Sequence, residues 1–341
     1  MPTRRILALA LPALLALCGR PAAAQEVLIE IDEDLAQQLG MDPDELRDQL
    51  DGAMSADLKL DGQSEFLAQM SRANLMSMKG MGADYASNPQ RFVLGGSVGT
   101  AVNSAGARFG RGDEGLPSGG FAFQAAILAG LNFGAFTDND KSAARRFVLY
   151  VDGMTANTQL EPFRAKFLNL GTHLQIKLVG SAGDAKAVEW GGLDLTGGYE
   201  LSHYELDLHQ PLPVPSGDLT WDADGTLSVV SDGSSVPIEL SSNLRLVVAT
   251  LFLGGAADLH MRSEAASEIS LGGPIQVDVE GEERKIGDAE VRLENRGGEV
   301  DMTGRIFGGA QVELWVVKVY GHLNVGFDNS FGGHLGLRVA M

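Results

Sequence analysis

Residues 167–180 read "FLNLGTHLQIKLVG". Leu168, Leu170, Leu174, Ile176 and Leu178 share one side of an extended chain, and Asn169, Gly171, His173, Gln175 and Lys177 share the other. Successive side chains of a strand point to opposite faces, so this stretch is a strand with one apolar and one polar face. It exceeds the ~5–6 residues usual in a soluble protein and satisfies the ~9–11 residues of a tilted membrane-crossing strand.

The same alternation recurs from Arg91 onward. In "FVLGGSVGTAV" Phe92, Leu94, Val98 and Val102 oppose Gly95, Ser97, Gly99 and Ala101. In "FAFQAAILAGLNFGAF" Phe121, Phe123, Ile127, Leu131 and Phe133 oppose Gln124, Gly130, Asn132 and Gly134. In "GGLDLTGGYELS" Leu193, Leu195, Tyr199 and Leu201 oppose Asp194, Thr196, Gly198 and Glu200. Leu323, Val325 and Phe327 alternate with His322, Asn324 and Gly326. The last ten residues, "GGHLGLRVAM", set Leu335, Leu337, Val339 and Met341 against His334, Gly336, Arg338 and Ala340. Apolar residues toward lipid and polar or small residues toward a lumen are the pattern of an outer-membrane barrel. The expected fold is therefore all-β: an antiparallel transmembrane β-barrel of roughly 10–12 strands, even in number. A soluble secreted β-sandwich, which also alternates, is the rival fold. The aromatic content is only 6%, so the interfacial belts are thin; Trp190, Tyr199, Tyr204, Trp315 and Tyr320 are the candidates for them.

"MPTRRILALALPALLALCGRPAAAQ" has two arginines, an apolar run and an Ala-x-Ala site at Ala22–Ala24, the features of a secretory leader. Cys18 would suit a lipid anchor only with a small residue before it, and Leu17 is large. Cys18 is the chain's single cysteine, so a mature chain cut near Ala24 has no disulfide or thiolate chemistry. The formal charge is −19; losing Arg4, Arg5 and Arg20 with the acid-free leader takes it to about −22. Such a chain does not suit nucleic acid, whose binders carry basic patches. No internal stretch reaches the ~18 apolar residues of a membrane helix, which leaves a closed barrel as the way to cross a bilayer.

Residues 1–24 are thus expected to be the leader, 25–88 a periplasmic helical segment acting as cap or plug, and 89–341 the outer-membrane barrel. Within 25–88, "EVLIEI" reads as a short strand, "DEDLAQQLG" as a helix, and "DPDELRDQLDGAM" as a helix capped by Asp42 with Pro43 at its first position. "QSEFLAQMSRANLMSMKGMG" reads as a helix ended by glycine. Six of the 11 methionines lie between Met41 and Met81, either a pliant binding surface or ordinary packing. Polar runs such as "FGRGDEGLPSGG", "TDNDKSAA", "QPLPVPSGD" and "NRGGEVD" read as turns, and "PLPVP" with "DLTWDADGTLSVVSDGSSVP" as a long loop carrying its own hairpin.

No reactive motif stands out. Gly95-x-Ser97-x-Gly99 fits a nucleophile elbow in letters, but the alternation runs through it and no helix follows. The six histidines have no metal-binding spacing. "DADGT" opens like a calcium loop, lacks the closing acid and reads as a hairpin turn. No catalytic, cofactor or metal residue is assigned and no cofactor is expected. The polar residues expected to face the lumen are Asn169, His173, Gln175, Lys177, Asp194, Glu200, Asn324 and Arg338, with Arg245 and Glu313. They could line a channel or fill a small lumen that conducts nothing; a filled or narrow lumen is preferred. If the facing is right, arginine at Leu174 costs about 2–4 kcal/mol, whereas arginine at Gln175 is nearly harmless.

The succession "RRFVLYVDGM", "FLNLGTHLQIKLVG", "WGGLDLTGGYEL", "VPIELSSNLRLVVATLFLGGAADL", "VVKVYGHLNVG" and "HLGLRVAM" resembles a family of bacterial outer-membrane surface proteins known chiefly from spirochaetes, the leptospiral surface adhesins. The resemblance covers about residues 90–341 at the level of strand pattern. It implies a Gram-negative outer-membrane barrel with surface loops, some members being adhesins for host extracellular matrix. It carries over no functional residue. The expected partners are outer-membrane lipid, the barrel-assembly machinery reading the C-terminal strand, and an extracellular partner of unknown identity. Met341 stands where such strands usually end in an aromatic. Three functions stay open: a non-enzymatic surface barrel whose loops meet partners, a passive pore or small-molecule transporter, and an embedded lipid hydrolase built from distant Ser and His residues.

Overall fold

The computed structural model describes residues 24–38, 42–45, 48, 63–104, 119–139, 141–160, 162–184, 188–216, 219–279, 282–298 and 301–341. The leader expected at the N-terminus, most of the second expected helix and most of the "FGRGDEGLPSGG" turn lie outside them. Asp42 does cap Pro43–Glu45, its Oδ1 accepting the Asp44 N–H at 3.0 Å.

Among the described residues, thirteen strands form one antiparallel sheet. Ten of them close into a ring: β2 (Phe92–Asn103), β3 (Gly120–Asn132), β4 (Phe147–Leu160), β5 (Phe163–Val179), β7 (Val188–Ser216), β8 (Leu219–Leu246), β9 (Ala249–Val279), β11 (Met302–Leu314), β12 (Val317–Gly326) and β13 (Ser330–Ala340). β6 (Ala182–Asp184) only pairs with β7. The ring closes where β13 pairs antiparallel with β2, from Ser330↔Asn103 to Ala340↔Val93. An up-and-down ring can close antiparallel only with an even number of strands, and closure leaves no ladder edge in lipid. Phe92 and Met341 exchange backbone hydrogen bonds at one end, the proximal rim.

The wall carries its leucines outward. Leu94, Ile127, Leu170, Leu253, Leu323 and Leu335 are all exposed, the last at 68%. A sandwich would bury that face between two sheets; the closed ring excludes it. The belt is thinner still than the sequence suggests. Trp190, Tyr199 and Trp315 point outward, but Tyr204 and Tyr320 are buried inside the ring. Their inward phase follows from alternation: Tyr204 stands four residues from inward Glu200, and Tyr320 two from inward His322.

β7, β8 and β9 are 29, 28 and 31 residues long. Beyond the distal rim they continue as a projecting sheet, extended on the β9 edge by β10 (Glu282–Gly297) and then β1 (Ala24–Ile31). This corrects two expectations. Residues 210–216 and 219–224 are strand rather than loop, and "DADGT" is no turn: Asp222, Asp224 and Gly225 of β8 stand opposite Pro213, Pro211 and Gln210 of β7. The β7–β8 ladder runs on past it to Ser216↔Leu219, because a ladder formed on both sides of β8 outweighs a local Asp-Gly preference. Pro211, Pro213 and Pro215 share one parity on a stretch of β7 that extends past Leu208, its last residue paired with β5. Their missing N–H groups therefore fall on the outer edge, where no ladder bond is lost and edge-to-edge association is blocked. The projecting sheet has its own apolar core: Trp221, Ile275, Ile286 and Val291 are buried together with Ala36 of helix α1 (Glu33–Gln38).

The N-terminal segment is not a body set apart from the barrel. β1 lies in the projecting sheet, while helix α2 (Gln63–Met78) and residues 79–90 run down inside the ring.

Candidate functional site: a filled lumen below a projecting sheet

α2 is buried on nearly all sides. Its upper turns are apolar: Phe66, Leu67, Met70 and Ala73 pack on Ala122, Ala125, Phe167 and Tyr204 of the wall. One turn lower the contacts become polar. Ser71 Oγ meets Ser263 Oγ at 2.8 Å, and Asn74 Nδ2 donates to the Ser231 carbonyl at 3.1 Å. Gln124 Nε2 donates to Asn74 Oδ1 at 3.1 Å, and Asn169 Nδ2 donates to Gln124 Oε1 at 3.0 Å. The last carbonyls of a helix have no partner within it, and the wall supplies some. His334 Nε2 donates to the Ser77 carbonyl at 2.8 Å, and Asn324 Nδ2 to the Lys79 carbonyl at 2.8 Å. A carbonyl only accepts, so His334 carries its proton on Nε2.

Gly80 ends the helix at φ +96°, and a Cβ there would sit 2.5 Å from the His322 ring. A Cβ on Gly82 would overlap the His173 ring. Only glycine passes between these two imidazoles.

Around this turn the lumen holds an ion network. Lys79 Nζ pairs with Glu200, donates to Ser235 Oγ at 2.7 Å and lies 3.2 Å from Asp258 Oδ1. Arg305 pairs with Glu239, donates through Nε to Asp258 Oδ2 at 2.9 Å and through Nη1 to Asn324 Oδ1 at 2.7 Å. Tyr85 Oη donates to the second oxygen of Glu239 at 2.7 Å, so one carboxylate joins arm and wall. His173 Nε2 stands between Asp152 at 3.6 Å and Glu200 at 3.8 Å. Lower down, Arg338 pairs with Asp84 and stacks its guanidinium 3.6 Å above the Tyr320 ring. At the proximal rim Lys177 Nζ donates to Asn88 Oδ1 at 2.9 Å and to Asp194 Oδ2 at 3.1 Å. Buried charges are tolerable only when paired and hydrogen-bonded: Lys79, Arg305, Glu200 and Glu239 are both, whereas the two His173 nitrogens and Asp152 Oδ1 are held by ion-pair proximity alone, without a hydrogen bond.

Asn169, His173, Gln175, Asp194, Glu200, Asn324 and Arg338 are thus all buried inside the ring, and Lys177 is partly buried at its proximal end. Of the other inner-face residues, Arg245 pairs with Glu189 at 3.1 Å near that rim, and Glu313 meets Lys318 at 3.5 Å. Gln175 accepts from Tyr150 Oη at 3.0 Å and is 4% exposed. Arginine there is therefore not harmless, because it would have to displace packed neighbours rather than enter water. The sequence reading missed the arm's half of the network, Lys79, Asp84 and Tyr85, and the wall residues Glu239, Asp258 and Arg305. A signal existed for the wall residues, since Glu239 stands between Ile238 and Leu240, in the polar phase. Ser97 lies in mid-strand facing inward. His203, His209 and His260 bond Asp232, Thr226 and Thr303. Among the described residues no group of three or more His, Cys, Asp or Glu could hold a metal.

A cavity of about 240 Å³ opens at the proximal rim where Asn88–Gln90 leave the lumen. Of its four cations, Lys177 and Arg245 pair with Asp194 and Glu189, Arg145 donates to the Asn139 and Thr137 carbonyls, and Arg146 completes the lining.

The sequence matches the Lsa36-like family over residues 22–341. The chain belongs to that family. No curated protein matches it in sequence. Among solved structures this Lsa36-like chain is similar to the transport unit of the autotransporter AIDA-I from Escherichia coli (12% identity, 80% of this chain and 98% of that one, TM-score 0.31). It is also similar to the CymD monoaromatic hydrocarbon channel (10% identity, 82% and 98%, TM-score 0.29) and to the translocator domain of the autotransporter NalP from Neisseria meningitidis (8% identity, 75% and 90%, TM-score 0.28).

Proposed function

We propose that this Lsa36-like protein is a non-enzymatic outer-membrane barrel, plugged by its own N-terminal arm, that presents the projecting sheet at the cell surface for partner binding. The observation that carries this is the filling of the lumen by residues 63–90, joined to the wall by hydrogen bonds and ion pairs through its depth. A lumen so occupied is a poor passive pore, and its acids and bases are engaged in holding the arm. Orientation follows from the connections. The proximal rim has two-residue turns at Val247–Val248 and Trp315–Val316, and its longest connection is residues 133–146, whereas the distal rim carries the whole projecting sheet. Outer-membrane barrels keep short turns in the periplasm and long excursions outside. The solvent face of the sheet bears Glu30, Asp222, Asp224, Glu268, Glu290 and Glu294, of which Glu268 and Glu294 pair with Arg292, and the balance stays acidic at Glu30, Asp222, Asp224 and Glu290. A cationic partner suits it, with binding that weakens as salt rises.

The test is reconstitution of the purified protein in a planar bilayer. The expected result is a heat-modifiable, folded protein with no steady conductance. A stable open current in the unaltered protein would overturn the plug and restore the passive-pore reading.

A further inference from the structure

We propose that the barrel carries its own N-terminal arm across the outer membrane, so that the mature N-terminus lies on the cell surface, opposite the C-terminus. With the projecting sheet at the cell surface, the direction of the chain inside the ring requires the arm to cross. β1 pairs with β10 from Ala24↔Glu294 to Ile31↔Gly287, wholly within the projecting sheet. Phe66 and Met70 then pack at the level of Phe167 and Tyr204, near the distal rim. Lys79 meets Glu200 at mid-depth, and Asn88 meets Lys177 at the proximal rim. Only then does β2 begin, with Arg91 N–H bonded to the Met341 carbonyl at 2.6 Å. The arm runs from distal to proximal before the first wall strand is laid down.

A chain exported with its N-terminus in the periplasm can reach this arrangement only by crossing the membrane. The outer surface of the ring is apolar and faces hydrocarbon, where free backbone groups cost several kcal/mol each. The lumen, lined with amides, hydroxyls and paired charges, is the polar route. The hydrogen bonds, ion pairs and apolar burial the arm makes there hold it in place once it has passed. β1 begins at the point where the leader is expected to be cut, and a retained leader would tether this end on the periplasmic side. At the surface β1 is a working part of the sheet: Ile29 and Ile31 pack on the Trp221–Val291 core.

The inference rests on the orientation proposed above, and the experiment separates the two. With Cys18 the only cysteine, the mature chain is a clean background for single cysteines. Leu28→Cys probes β1, Asp224→Cys the projecting sheet and Trp315→Cys the proximal rim; all three positions are exposed. Cells expressing each full chain are treated with a membrane-impermeant maleimide, intact and after lysis. The expected result is labelling of Leu28→Cys and Asp224→Cys to the same extent on intact cells, and of Trp315→Cys only after lysis. Labelling of Asp224→Cys with Leu28→Cys protected until lysis would overturn the inference while leaving the surface sheet standing. Labelling of Trp315→Cys alone on intact cells would overturn both. As a second measurement, Leu28→Cys combined with Glu290→Cys, directly opposite in the ladder, should form a disulfide in surface-exposed protein. Its absence there, with both thiols reactive, counts against docking of β1.

Discussion

Lys79→Met removes the amine at the centre of the lumen while keeping a side chain of similar length. In the native structure that amine serves Glu200, Ser235 Oγ at 2.7 Å and Asp258 at 3.2 Å, and both its acidic partners are at most 4% exposed. After substitution Asp258 still has Arg305 Nε at 2.9 Å. Glu200 has only Ser235 Oγ at 2.9 Å and the His173 ring at 3.8 Å. One buried carboxylate is thus stranded, and breaking a buried pair from one side costs about 3–5 kcal/mol. Any excursion that withdraws the arm lets water reach Glu200 and relieves that cost. The population of the arm-displaced state should therefore rise roughly 10²- to 10⁴-fold, at about 1.4 kcal/mol per factor of ten. The assay is bilayer recording together with the temperature at which the folded band is lost on a detergent gel. Lys79→Met should show bursts of current where the native protein is silent, and a lower transition temperature. Adding Glu200→Gln neutralises the stranded group and should restore most of both, the double-mutant cycle isolating the pairwise energy. If Lys79→Met matches the native protein in both readouts, or Glu200→Gln fails to compensate, the ion network does not hold the arm.

Other consequences can be checked on the same protein. Gly82→Ala forces a methyl into the His173 ring and should lower the gel transition; His173→Ala, which removes the ring, should recover it. Leu174→Arg puts a charge on the lipid face and should cost about 2–4 kcal/mol in a refolding titration if the residue lies at the midplane, with equal tolerance of Leu174→Asn and Leu174→Arg counting against that facing. Tyr85→Phe removes the hydrogen bond to Glu239 and should cost about 1.5–3 kcal/mol, the range for bonds to charged groups, read as a modest fall in the gel transition. Trp221→Ala opens a cavity in the core of the projecting sheet worth about 3–5 kcal/mol. It should make residues 205–297 sensitive to limited proteolysis while the ring's heat shift is unchanged; protection equal to that of the native protein would mean that core does not hold the sheet.

Much of the barrel is local in origin. A side-chain period of two is a property of the single strand, so Leu168, Leu170 and Leu174 on one face and Asn169, His173 and Gln175 on the other can be read without knowing any neighbour. Strand length, the glycines and the antiparallel logic of closure follow from the same information, and so does the inward phase of Glu239 and Tyr320. The partners of those inward groups do not. Lys79 meets Glu200, 121 residues away in sequence, and Arg305 gathers Glu239, Asp258 and Asn324 from three strands. Such contacts depend on register and ring size, which belong to the closed sheet as a whole. The "DADGT" stretch shows the same limit from the other side, its turn preference overridden by ladders on both flanks. Sequence alone therefore determined the two-faced strands, the all-β barrel class and the helix ended by Gly80. Only the tertiary structure decided that this helix stands in the lumen, that β1 completes a sheet beyond the distal rim, and that the polar face meets the chain's own arm rather than water. Alternation states which way a side chain points, and only closure states what it finds there.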